Sequence, residues 1–108
     1  MSMDRNCVLL GESLLWEVDR AAKRDRRTRL QEIDHLCDVA LKSQKPAKPT
    51  PHALKDDGPK TGRTTIPATL TERVAVRTKR TGESTSAAVR ALVASGLAIE
   101  EERHHGDN

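Results

Sequence analysis

Arg20, Lys23, Arg24, Arg26, Arg27 and Arg29 fall within ten residues, opposed only by Asp25. Cations at this density make an anion-facing patch, although the same run also reads as a solvated helix end with its positive charges near a C-terminus. Cys7 and Cys37 lie in apolar surroundings with no CxxC spacing and no signal peptide before them, so neither a disulfide framework nor a zinc site is expected. His35 stands close to Cys37, yet the spacing suits no standard metal site and Cys37 belongs to an apolar stripe. His104 and His105 sit near the end without partners in sequence. No Ser/His/Asp, Cys/His or paired-carboxylate pattern stands out, so the expectation is a protein that is not an enzyme and that uses no metal and no cofactor. Trp16 lies off the apolar stripe of its helix, either packed on the central linker or serving as a docking point for a partner.

The elements that must position these residues are small. The chain of 108 residues has one Trp, no Phe and no Tyr, so its core is aliphatic and modest, in one compact domain or two very small ones. The net charge is +3, and residues 1 to 43 balance eight basic against eight acidic side chains, so clustering matters more than the total. No apolar run approaches the roughly 20 residues needed to span a bilayer, so no membrane role is expected and the chain reads as cytoplasmic.

Four segments follow from pattern. Residues 4–42 open with a Cys7-Val8-Leu9-Leu10 strand, and Gly11 serves as N-cap of a helix with Leu14, Val18, Ala21 and Ala22 on one face. Thr28-Arg29-Leu30-Gln31 has the form of a capping box before a second helix, whose stripe is Leu30, Ile33, Leu36, Cys37, Ala40 and Leu41. Residues 43–60 carry Pro46, Pro49, Pro51 and Pro59 with four lysines and no apolar period, which marks a linker. As a coil it spans on the order of 25 Å, and extended about 60 Å.

Residues 61–99 repeat the plan. Arg63-Thr64-Thr65-Ile66 forms a strand stopped by Pro67, and Thr69-Leu70-Thr71-Glu72 offers a capping box for a helix with Leu70, Val74 and Thr78 facing inward. Gly82 suits a left-handed turn, Ser84 caps a helix with Val89, Leu92 and Val93 in its stripe, and Gly96 is expected to close that helix, with Leu97 and Ile99 folding back on it. Residues 100–108 read as a polar, frayed tail. Neither half is large enough to hide its apolar face alone, so each needs a partner.

Both halves resemble the ribbon-helix-helix family of Arc, MetJ and CopG type repressors. The second carries the strand, Pro, helix, Gly-x-Ser-x-Ser, helix grammar as Thr65-Ile66-Pro67-Ala68-Thr69-Leu70 and Gly82-Glu83-Ser84-Thr85-Ser86-Ala87-Ala88-Val89-Arg90, and the first as Val8-Leu9-Leu10-Gly11-Glu12-Ser13-Leu14-Leu15 through Arg27-Thr28-Arg29. Two positions depart from the pattern: Arg26 stands where the family usually has Gly, which predicts a strained or reshaped turn, and Leu30 replaces a small residue.

The resemblance implies a mainly helical fold with one two-stranded antiparallel ribbon, a tandem ribbon-helix-helix chain pairing within itself as a pseudo-dimer. The ribbon of this family enters the DNA major groove. Alternation then points Val8, Leu10, Thr64 and Ile66 at the helices and leaves Arg63, Thr65, Thr61, Arg5, Cys7 and Leu9 as candidate base readers. Arg63 is the best of them, since a guanidinium can bond guanine bidentately. The second helices' N-termini assign Thr28, Arg29, Ser84 and Thr85 to phosphate contacts, with Arg26 and Arg27 adding charge. The expected partner is double-stranded DNA, bound by a transcriptional repressor, with room for a second chain on an adjacent site. The alternatives are an antitoxin that binds a toxin and autoregulates its operon, and a protein-interaction module that kept the fold and lost DNA binding.

Overall fold

Strand β1 (Arg5–Leu9) pairs antiparallel with strand β2 (Arg63–Pro67), placing Cys7 opposite Thr65, Val8 opposite Thr64 and Leu9 opposite Arg63. A backbone bond from Leu10 N to Gly62 O at 3.1 Å extends the ladder. The computed structural model describes residues 5–43, 62–82 and 84–106, with side chains described from Cys7 onward and as far as Glu102. The linker read over 43–60 therefore lies, apart from Ser43, outside the described residues. Successive strand side chains point to opposite faces. Val8, Thr64 and Ile66 are buried on one of them, and Leu10 follows them into the core.

Helix α1 (Glu12–Asp25) begins after Gly11 and buries Leu14, Leu15, Val18, Ala21 and Ala22. It ends on Arg26, the only non-glycine among the described residues at positive φ, 58°. Arg27 N then bonds back to Ala22 O at 2.8 Å, so the chain reverses with its last carbonyls satisfied. Helix α2 (Arg29–Lys42) starts with the capping box expected from its sequence: Gln31 N donates to Thr28 Oγ1 at 3.2 Å and Thr28 N donates to Gln31 Oε1 at 2.9 Å. Its buried face is Ile33, Leu36 and Cys37, joined by Glu32, while Leu41 stays exposed.

Helix α3 (Ala68–Thr81) differs from expectation at its start. Pro67 takes the N-cap place with φ −66° and no side-chain cap forms, so the Thr69–Glu72 box is absent; Thr69 already lies inside the first turn. Proline's fixed φ and missing N–H suit the entry to a helix, and here they set the boundary ahead of the threonine. Gly82 ends α3 in the left-handed region at φ 78°.

Helix α4 (Thr85–Gly106) is capped by Ser84, whose Oγ accepts from Ala87 N at 3.1 Å. The expected stop at Gly96 is wrong: α4 continues for 22 residues, and Leu97, Ile99 and residues 100–106 are helical. Gly96 instead sits buried where α4 crosses α2, and a Cβ added there would lie 2.3 Å from the Leu36 carbonyl oxygen. Its missing side chain lets the backbones touch.

The described residues thus form a mainly helical fold, four helices on a two-stranded antiparallel sheet. One aliphatic cluster joins the inner ribbon face, through Val8, Leu10 and Ile66, to Leu14, Val18, Ile33, Leu36, Leu70, Val74, Val89, Leu92 and Val93. The order strand, helix, helix occurs twice, and one step of 56 residues carries Glu12 to Ala68 and Arg29 to Thr85, the starts of corresponding helices. The same step carries Val8 to Thr64, residues that face each other across the ribbon. Facing residues of an antiparallel pair are related by a local two-fold axis, and in the ribbon one such axis passes between Val8 and Thr64. Among the described residues no helix is long and apolar enough to cross a membrane.

Candidate nucleic-acid interface

The outer face of the ribbon carries Cys7 and Arg63, both exposed, and Leu9 and Thr65, both half-buried. Cross-strand register sets Leu9 beside Arg63 and Cys7 beside Thr65, so these four side chains form one patch. Arg5 pairs through its backbone with Pro67, while its side chain, like the whole of Thr61, lies outside the described residues. Under the 56-residue step, Cys7 corresponds to Arg63 and Leu9 to Thr65. One strand presents a thiol and an alkyl group where the other presents a guanidinium and a hydroxyl.

Two helix N-termini flank the patch. On one side Thr28, Arg29, Leu30 and Gln31 line an open depression together with Thr64 and Thr65. On the other side Leu9 N donates to Ser86 Oγ at 3.2 Å, tying the end of β1 to the first turn of α4. Ser86 was not among the expected site residues. The second Ser of Gly-x-Ser-x-Ser is the signal that could have found it, since a hydroxyl two residues after a cap can turn to a neighbouring strand. Ser84 is exposed and Thr85 half-buried beside it.

Two of the three arginines expected to meet phosphate, Arg27 and Arg29, are engaged within the protein. Arg29 forms a bidentate pair with Asp19, both contacts at 2.7 Å, and the Asp19 carboxylate raises its already high pKa. Arg27 Nη1 donates to Asp25 at 3.4 Å and to Glu32 Oε1 at 3.2 Å. Glu32 is 0% exposed, and its Oε2 is buried with no hydrogen-bond partner among the described residues. Sequence reasoning missed this residue, because a glutamate in the first turns of a helix ordinarily faces solvent. Arg26 remains exposed at the turn. Arg24 is drawn to Asp25 at 3.2 Å, which raises its pKa. A phosphate approaching this end of α2 competes with carboxylates already in place.

The remaining candidates sit apart from the ribbon. His35 Nε2 lies 2.5 Å from Glu100 Oε1, and Cys37 is buried in the core, where loss of solvation pushes its thiol up to about 12. The two do not converge on one site. Trp16 is 59% exposed, with the Arg20 guanidinium 5.6 Å from its ring centre, a cation–π arrangement. Comparisons of the chain with models of known protein families, with curated proteins and with solved structures found no match.

Proposed function

We propose that the chain is a tandem ribbon-helix-helix protein, an intramolecular pseudo-dimer whose ribbon reads bases in the major groove and which acts as a cytoplasmic transcriptional repressor. The observation that carries this reading is the outer ribbon face: paired strands with Arg63 exposed, flanked by helix N-termini capped through Thr28 and Ser84. Repetition of strand, helix, helix at a constant step supports the tandem arrangement. A ribbon of this width fits the groove, and a guanidinium beside hydroxyls offers hydrogen bonds to base edges. Because corresponding positions on the two strands differ chemically, the preferred half-sites are unlike one another.

Selection of bound sequences from random duplex DNA tests the proposal. Wild-type protein enriches a defined, non-palindromic site, and Arg63→Ala lowers affinity for that site by roughly 5- to 150-fold while relaxing one base position. Enrichment unchanged by Arg63→Ala removes Arg63 from the reading set, and absence of salt-sensitive binding at low ionic strength removes DNA as the ligand. In that event the reading is a protein-interaction module, which the 59% exposure of Trp16 and the 70% exposure of Val76 favour.

A further inference from the structure

Where the second half meets the first, Arg73 on α3 reaches across to α2. Its Nη2 donates to Asp34 at 2.5 Å and its Nη1 donates to Asp38 at 2.9 Å, with Lys42 closing on Asp38 at 3.0 Å. The 56-residue step carries Arg73 back to Glu17 and Asp34 forward to Arg90, so both charges are exchanged between corresponding places. Four central pairs of core residues show no such exchange. Leu14 corresponds to Leu70, Val18 to Val74, Ile33 to Val89 and Leu36 to Leu92, all of them buried. At these four positions first with first or second with second packs nearly as well as first with second, so they do not choose the partner.

We infer that the two halves select each other by charge: the helix surface around Asp34 and Glu17 fits the other half of this chain and rejects a copy of its own. Two first halves docked in the observed way set Glu17 against Asp34 and Asp38. Two second halves set Arg73 against Arg90. Single exposed ion pairs are weak, but replacing the observed Arg73 contacts with Asp34 and Asp38 by repulsion in either like pairing favours unlike halves by roughly tenfold. The inference rests on the two-fold relation between the halves and not on DNA, so a failure to bind DNA leaves it standing.

Asp34→Arg combined with Arg90→Glu in the full chain makes each half complementary to itself and opposed to the other. Sedimentation equilibrium is expected to give one chain for the wild type and two or more for this variant. Glu17→Arg and Asp34→Arg combined with Arg73→Glu and Arg90→Glu keeps unlike halves complementary and like halves opposed, and is expected to remain a single chain. A folded Asp34→Arg/Arg90→Glu protein that stays a single chain overturns the inference. A protease site placed within residues 44–61 and cut after folding gives a measurement that needs no charge variant. After the cut halves are allowed to dissociate and re-pair, native mass spectrometry should show first–second pairs, and like pairs at comparable abundance overturn the inference even where the charge variants do not fold.

Discussion

Replacing Gly96 by alanine sets two opposing effects against each other. In a helix interior alanine is favoured over glycine by about 1 kcal/mol, so at an open site the change stabilises. At Gly96 the added carbon would stand 2.3 Å from the Leu36 oxygen, 2.8 Å from its carbonyl carbon and 2.9 Å from its Cα. All three are backbone atoms of α2, so no side chain can swing away, and relief requires the helices to separate by on the order of 1 Å, given normal contacts near 3.5 Å. Separation loosens the contacts of Ile33, Leu36, Val89, Leu92 and Val93 together. Overpacking of this kind costs about 1–3 kcal/mol, and the rigid backbone places it at the upper end, leaving net destabilisation of about 1–2 kcal/mol after the helix preference is subtracted. For a domain of this size that lowers the thermal midpoint by roughly 4–15 °C. Circular dichroism melts of wild type and Gly96→Ala measure it directly. A midpoint that rises by several degrees would refute the close crossing and return Gly96 to an ordinary surface or terminal role.

Arg26→Gly should stabilise by up to about 1 kcal/mol, since an L residue held at positive φ loses roughly 1–2 kcal/mol and glycine's extra chain entropy returns part of it; a fall in the urea midpoint would contradict the left-handed turn at φ 58°. Thr28→Ala removes the capping box and should lower stability by about 1 kcal/mol, with no change meaning that the N-terminus of α2 is held otherwise. Cys37 gives a pH dependence with a definite sign. Burial raises its thiol from the usual 9.0 to about 12, so between these values the unfolded chain has lost a proton that the folded one keeps. Stability then falls as pH rises, by at most about 1.4 kcal/mol per unit. The difference in denaturation free energy between wild type and Cys37→Val should therefore shift in the variant's favour from pH 8 to pH 11, and a constant difference would show that the thiol is not shielded.

Local rules carried the sequence reading where the determining atoms are near in the chain. The Thr28–Gln31 box, the left-handed Gly82 and the alternation of Val8 and Leu10 with Cys7 and Leu9 each depend on a few consecutive residues, and each has its expected form. Gly96 was misread because glycine's role in a helix is set by what crosses it, and Leu36 stands 60 residues earlier in the chain. Thr69 was misread because two start signals overlapped and Pro67 came first. For the candidate site, the strand pattern indicated which of the described side chains, Cys7, Leu9, Arg63 and Thr65, face outward. It could not show that Arg29 folds back on Asp19 or that Arg27 reaches a buried Glu32, since a cluster of like charges does not reveal which acids the helices bring beside it.

The ladder between β1 and β2 also dictates a timetable for biosynthesis. Arg63 leaves the ribosome 58 residues after Arg5, an interval of roughly 3–12 seconds at ordinary elongation rates. Throughout that interval β1 has an unmatched edge, because the strand it pairs with has yet to be made. Maturation of each new molecule is thus gated by translation speed, and a pause after codon 42 should lengthen chaperone occupancy in proportion.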